Sequence, residues 1–336
     1  MPNQTQTLLR NATRQHEVLN ILTFPTHERY QQNLAKTGHN FYLIQGFQGI
    51  KTWNDKYAKL PNNHTLLDPK KGINQIPPWI EYDLIISQQK FGQFQIAAPI
   101  AKQLGLPLVS LEHTTVMPQW TKTQLQQLKS MRGDINVFIS EQSRKAWGWE
   151  EHEAEVIRHG IDCDVFKPIE VEKQPILGVC VNDYINRSWC VRFDIFQAVT
   201  GYPNTKVPFK ALGDTPGFSK PAESVDALVG FYNEISVFLN TATESPLPTV
   251  ITESLACGTP VVSVPNMLIP EAVIHGKTGF LSEDPAKLRE YCQLLIKDES
   301  LRKELGENGR KLMLEKFSLD RFVRNWNELF RRAVSN

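Results

Sequence analysis

The chain has no C-x-x-C pair, and its five cysteines, Cys163, Cys180, Cys190, Cys257 and Cys292, are odd in number and widely spaced. That argues against a disulfide framework and a cysteine zinc site, and fits free thiols in a reducing compartment. No apolar run approaches the ~18 residues a membrane span requires, and the opening MPNQTQTLLRNATRQHEVLN lacks the basic-then-apolar order of a secretory signal. A cytoplasmic protein is expected, with peripheral association at a membrane left open. Net charge is nearly absent, 37 Lys plus Arg against 36 Asp plus Glu, so no overall field recruits polyphosphate or anionic lipid. The pair Lys70-Lys71 is too short to change this, and nucleic acid is not an expected partner. Repeats of 20–50 residues and low-complexity blocks are missing. His27-Glu28 has no second histidine at H-E-x-x-H spacing, which removes the zinc-protease reading.

What the chain does have is length and apolar content. At ~150 residues per domain, 336 residues make about two domains, and 41% hydrophobic with 10% aromatic residues can fill two cores. Strand-like runs at 19–24, 41–44, 82–87, 108–111 and 135–140, with a helical stretch at 94–104, form a first series. A second follows at 176–181, 207–212, 235–240 and 259–264, with helical patterns at 248–257, 285–297, 300–316 and 318–333. Continuous rather than alternating apolar runs indicate parallel strands covered by helices on both faces. The expected fold class is therefore α/β, two Rossmann-like doubly wound domains facing a cleft. The boundaries read as 1–168 and 169–318, with a C-terminal helix over 319–336. Phe322, Trp326, Phe330 and Ala333 form a stripe that buries one face of this helix, with Ser318 as N-cap and Asp320 in the first turn.

The most informative stretch runs from Glu244 to Val262, ESPLPTVITESLACGTPVV, a strand end leading into a helix and then another strand. Pro248 suits the first helical position, where a missing N–H costs nothing. The amides of Thr249, Val250 and Ile251 would then point out of the helix N-terminus and, with the dipole, form a phosphate site. Glu253, a little over one turn further on, reaches hydroxyls beside that phosphate, and a vicinal ribose diol is the natural partner for a carboxylate. Gly258 ends the helix. An amphipathic helix whose Glu253 merely favours the dipole is the plainer alternative.

This stretch resembles the signature of the retaining, nucleotide-sugar-dependent glycosyltransferases of family 4, which have the GT-B fold: E-G-(F/L)-(G/P)-x-x-x-x-E-A-x-A-C-G-x-P-V. Three further stretches agree: Phe138-Ile-Ser140 with Arg144, then VIRHGIDCDVFKP at 156–168, then EAVIHGKTGFL at 271–281. The resemblance is strong from about residue 135 onward and weaker before it. It implies a hexosyltransferase-like retaining enzyme, with the C-terminal domain holding the donor and the N-terminal domain the acceptor. It also implies that the last helix packs back toward the N-terminal domain. A UDP-sugar is the expected co-substrate, with a GDP-sugar as the alternative; no resident cofactor and no essential metal are expected.

Carried over residue by residue, the resemblance implies donor contacts from Asn182, Arg187, Glu244, Ser245, Leu247, Pro248, Thr249, Val250 and Glu253. Two departures stand out. Counting back eight from Glu253 lands on Ser245, so the family's first glutamate is missing or supplied by Glu244 through a shifted turn. Asn182 stands where the family has the diphosphate-binding Arg, while Arg187 takes the Lys position and can hold a phosphate bidentately. Arg192 or Lys210 is the candidate replacement for the lost cation.

On the acceptor side, His113 lies just past a strand's carboxyl end, where open α/β sheets bind ligands. The resemblance places it near the reacting sugar, and the catalytic set reads His113, Arg187 and Glu253. Thr26, His27 and Glu28 replace the family's Gly-rich turn and, with His113, are the acceptor candidates, an ordinary polar turn being the alternative. The loop Phe47–Trp53 has no assigned purpose. Asp162-Cys163-Asp164 mimics the D-x-D of metal-dependent transferases of another fold and reads as a turn. The expected activity is glycosyl transfer to an acceptor hydroxyl with retention, in glycan or polysaccharide synthesis. A lipid-linked, small-molecule or nucleobase acceptor stays open, as does a nucleotide-sugar-binding protein without transferase activity. A nucleotide-sugar epimerase is a weaker rival, since only Glu244 offers it an acid or base.

Overall fold

The computed structural model describes residues 18–335 except 47–48, 56–57, 69, 71–79, 115 and 117–119. Lys71 and the start of the Phe47–Trp53 loop therefore lie outside the described residues. Chain contacts divide into two compact units, Met1–Gly160 with Asp320–Asn336, and Ile161–Leu319.

The first unit runs β1 (Asn20–Thr23), α1 (Glu28–Ala35), β2 (Asn40–Ile44), β3 (His64–Leu67), β4 (Leu84–Ser87), α2 (Gln93–Leu104), β5 (Leu108–Glu112), α3 (Lys122–Lys129), β6 (Ile135–Phe138), α4 (Glu141–Ala146) and β7 (Glu155–Val156). Its sheet has the order β3-β2-β1-β4-β5-β6-β7, and the pairings are parallel. Central strands are rich in apolar residues because both faces are covered: Ile21, Leu84, Ile85 and Ile86 are fully buried. The strand order reverses between β1 and β4, where Ile21 pairs with Leu84. The carboxyl ends of those two strands are thus where a crevice opens in this unit. The C-terminal helix Leu319–Ser335 buries Phe322, Trp326, Leu329, Phe330 and Ala333. Trp326 donates from its indole to the Tyr30 hydroxyl at 3.2 Å, and the Phe330 ring lies 6.5 Å from Phe41, which seats the helix beside α1 and β2.

The second unit runs β8 (Gln174–Cys180), α5 (Ser188–Val191), α6 (Phe193–Thr200), β9 (Phe209–Leu212), α7 (Val225–Glu234), β10 (Ile235–Asn240), α8 (Thr249–Ala256), β11 (Val261–Ser263), α9 (Ile269–Ala272), β12 (Gly279–Leu281), α10 (Pro285–Lys297) and α11 (Glu299–Leu312). The sheet order is β12-β11-β10-β8-β9, again parallel. Both faces of β10 are packed: Val237 and Leu239 join one apolar cluster, Phe238 and, across a shift in register, Ile235 the other. The single helix expected over 300–316 instead ends in a π-helical turn, Met313–Phe317.

The division falls at Gly160/Ile161, before the Pro168 read from the sequence, because residues 161–168 are bonded to the second unit. Ile161 N–H donates to Phe317 O at 2.7 Å and Ile161 O accepts from Leu319 N–H at 2.9 Å. The Arg310 guanidinium donates to Phe166 O at 2.6 Å, Ala256 O at 2.7 Å and Cys163 O at 2.9 Å. Within this segment Asp162 Oδ1 accepts from the amides of Asp164 and Val165 at 3.1 Å each, so its carboxylate closes its own turn.

Candidate active site

In the second unit the strand order reverses between β8 and β10, which brings the loop after β8 and the loop after β10 side by side at the sheet's carboxyl edge. Those loops contain Asn182–Arg187 and Glu244–Pro248, the second leading into Thr249 and Val250 of α8. They are stitched together: Thr243 N–H and Glu244 N–H both donate to Cys190 O, at 2.8 and 3.3 Å, and Thr241 Oγ1 donates to Val191 O at 2.6 Å. Arg187 starts α5. It is exposed, and its guanidinium lies 3.7 Å from Cys190 Sγ and 3.4 Å from Asn182 O. The structure thus gathers Asn182, Arg187, Glu244 and Ser245 at one edge. Glu244 is exposed and Ser245 half-buried, while Leu247 and Val250 rest their side chains on the apolar cluster beneath.

Pro248 is the N-cap of α8, not its first helical residue: its φ −58° and ψ 131° are extended. Its carbonyl accepts from Ile251 N–H at 3.1 Å, so that third amide is engaged and the expected trio reduces to Thr249 and Val250. Among the described residues no side chain caps α8, and its first turn has no acidic residue. Two amides and the dipole's positive end are therefore left to a ligand. At the other end Gly258 takes φ 73°, a conformation only glycine adopts without strain. A Cβ at Gly306 of α11 would come within 2.1 Å of Gly258 O.

Both replacement cations are engaged by carboxylates. Arg192 is bound bidentately by Asp194, at 2.9 and 2.7 Å, and Lys210 pairs with Glu234 at 2.5 Å. Asn182 Oδ1 accepts from Asp214 N–H at 2.9 Å, fixing the neighbouring loop. The sequence reading missed Tyr232. Glu253 is only 4% exposed and its Oε2 accepts from the Tyr232 hydroxyl at 2.7 Å. Burial, with the carboxylate beside it, pushes the phenol well above its usual range, so it remains a donor. Nothing in the spacing of 232 and 253, on different helices, signals this pair.

In the first unit Thr26, His27, Glu28 and His113 also come together. His113 follows β5 and is 4% exposed; its ring lies 5.0 Å from His27, 4.5 Å from Tyr30 and 5.7 Å from His159. Neither ring nitrogen of His113 has a hydrogen-bond partner among the described residues. Burial, reinforced by His27 and His159, holds its pKa well below the ordinary imidazole value, and burial takes His159 down to about 4. Both are neutral at pH 7, able to donate or accept a hydrogen bond but not to supply charge. Glu28 is buried and pairs through Oε2 with Lys51 at 2.6 Å, while its Oε1 has no partner among the described residues; Thr26 Oγ1 accepts from Gln93 at 2.7 Å. Tyr30, Gln93 and His159 were not read as site residues. For His159 the available signal was its place in the VIRHGID stretch.

Among known proteins, residues 218–312 match the family described as glycosyl transferases group 1. The chain is 36% identical over 92 residues to the capsular polysaccharide biosynthesis glycosyltransferase CapM of Staphylococcus aureus, 27% of this chain and 24% of that one. It is 32% identical over 83 residues to the N-acetyl-alpha-D-glucosaminyl L-malate synthase of Bacillus anthracis, 24% and 22% of the respective chains. The chain thus spans less than a quarter of the length of these curated relatives. A solved structure of HepE from Anabaena in complex with UDP superposes with TM-score 0.70 at 17% identity, covering 93% of this chain and 99% of that one. The sucrose-phosphate synthase from Thermosynechococcus elongatus superposes with TM-score 0.68 at 15% identity over 94% and 98%. The fold is GT-B. At such identities the superpositions establish the fold alone. Among the described residues no group of three or more His, Cys, Asp and Glu could hold a metal ion, and no helix is long and apolar enough to cross a membrane.

Proposed function

We propose that the chain is a retaining glycosyltransferase that moves a sugar from a nucleotide diphosphate sugar, a UDP-sugar first and a GDP-sugar second, to an acceptor hydroxyl in glycan or polysaccharide synthesis. One observation carries this reading. The segment matching the glycosyl transferases group 1 contains the helix start whose Thr249 and Val250 amides have no capping side chain among the described residues, preceded by a loop bonded to the turn that Arg187 begins. Two amides, a helix dipole and a guanidinium suit a diphosphate. Charge develops on that diphosphate as the anomeric C–O bond breaks, and donors already oriented toward it lower the barrier. The acceptor oxygen bonds to the anomeric carbon on the same face, and its proton passes to the departing phosphate oxygen, so no carboxylate nucleophile is required. Glu253 holds the ribose diol, Glu244 and Ser245 lie on the sugar side, and neutral His113 supplies a hydrogen bond to a sugar hydroxyl, with His27 beside it. The polysaccharide named for CapM and the UDP named for the HepE complex support glycan synthesis and a uridine donor.

A second reading rests on Asn182: with its oxygen on Asp214 and with Arg192 and Lys210 paired elsewhere, Arg187 alone of these four is offered to the diphosphate. A nucleotide-sugar-binding protein without turnover would tolerate that. Thermal-shift screening against UDP, GDP, ADP and dTDP, followed by incubation of the matching nucleotide sugars with glycan acceptors, separates the two. Release of nucleotide with a product of unchanged anomeric configuration by NMR supports the transferase. Selective binding without acceptor-dependent release favours the second reading, and no stabilisation by any nucleotide refutes both.

A further inference from the structure

The hydrogen bond from Tyr232 to Glu253 joins two helices at a buried point, and the surroundings leave the phenol little freedom. Tyr232 is fully buried near the end of α7. Its ring lies 5.7 Å from Phe238 of β10 and 6.4 Å from Phe166. Its main-chain carbonyl accepts from Thr259 Oγ1 at 2.6 Å. Thr259 Oγ1 in turn accepts from Lys173 Nζ at 2.9 Å, and that ammonium also donates to Asn233 O at 2.9 Å and Ile235 O at 3.0 Å. Ser254, the residue after Glu253, donates to Thr259 O at 3.0 Å. One threonine thereby ties the main chain at Tyr232 to the helix turn that carries Glu253. The ring, its backbone and the helix opposite are all held, so the phenol offers its proton in one direction, toward Glu253 Oε2.

We propose that Tyr232 is a positioning residue that sets the carboxylate of Glu253 for the ribose of the nucleotide, making this site selective for a ribose diol over a deoxy sugar. The inference rests on the donor site proposed above. Recognition of a vicinal diol needs both carboxylate oxygens in the plane of the two hydroxyls, and a carboxylate free to rotate about its last bond loses that alignment. A phenol held by its ring packing and its own main chain restrains that rotation by donating a hydrogen bond to Oε2. The donor is neutral, so it orients the carboxylate without cancelling its charge.

The test uses the full chain, with UDP, GDP and their 2′,3′-dideoxy counterparts as probes, measured by calorimetry on wild type, Tyr232→Phe, Glu253→Gln and the double variant. Wild type should bind the ribonucleotide at least tenfold more tightly than the dideoxy form. Tyr232→Phe keeps the ring and should weaken ribonucleotide binding about tenfold while leaving the dideoxy form within about twofold, and it should have no further effect in the Glu253→Gln background. A purely structural role would weaken both ligands together. If wild type discriminates and Tyr232→Phe moves both ligands equally, or neither, the positioning role is overturned while the donor site stands. If wild type binds no nucleotide, or binds both forms equally, the contact between Glu253 and ribose is wrong and the inference goes with it. Melting curves show whether the variants are folded.

Discussion

Thr249→Pro isolates a single backbone group. Thr249 is the first helical residue of α8, and its N–H has no partner among the described residues, so proline there removes a donor those residues do not use. The usual penalty on the preceding residue is already met, because Pro248 sits at φ −58°, ψ 131°, inside the extended region a following proline demands. The threonine side chain is exposed, and its carbonyl, which accepts from Thr252 Oγ1 at 2.8 Å, is retained. Folding stability should therefore change by less than about 1 kcal/mol, in either direction. Binding should change much more. If the amide donates to a phosphate oxygen, a charge-assisted hydrogen bond worth about 1.5–3 kcal/mol disappears, weakening the nucleotide diphosphate about 10- to 150-fold. Thr249→Ala, which keeps the N–H, should stay within about threefold of wild type. Calorimetric titration of UDP into the three proteins, alongside urea denaturation, reads both quantities. Equal affinity for the proline and alanine variants would refute the helix-terminus phosphate site, whatever the activity of the protein.

Arg187→Ala should weaken UDP more than UMP, by about tenfold or more, because the guanidinium is assigned to the diphosphate; an equal loss for both nucleotides would move Arg187 away from the second phosphate. Arg310→Met should lower stability by about 3 kcal/mol in urea unfolding, since three main-chain carbonyls lose a charged donor at once; a change under about 1 kcal/mol would show that water replaces the guanidinium. Stability should fall as pH drops from 6.5 toward 4. The folded imidazoles of His113 and His159 bind protons less readily than in the unfolded chain, so the unfolded state takes up more protons over that window. His159→Asn should flatten the slope of melting temperature against pH, and an unchanged slope would remove His159 from the account.

Much of this protein is legible in one dimension. A strand buried on both faces is predominantly apolar, so the central strands and their parallel arrangement could be read directly, and β10 coincides with the run read over Ile235–Asn240. Helix α8 and its glycine stop were equally plain, because Pro and Gly act through their own backbones. Short edge strands were not legible. His64–Leu67 and Glu155–Val156 are only partly buried and have no long apolar signature, and they become strands because a neighbour supplies their hydrogen-bond partners.

Side-chain partners belonged to the tertiary structure. The spacing of Glu253 indicated a carboxylate one turn into a helix, but only packing could bring the Tyr232 hydroxyl to it, from a different helix. Arg192 and Lys210 were plausible cations by charge alone, and folding paired them with Asp194 and Glu234. Ile251 read as a free amide until the dihedrals of Pro248 turned its carbonyl onto that proton. Periodicity and backbone chemistry are local and survive in the sequence. Which donor meets which acceptor depends on distances across the fold, which the order of residues does not encode by position.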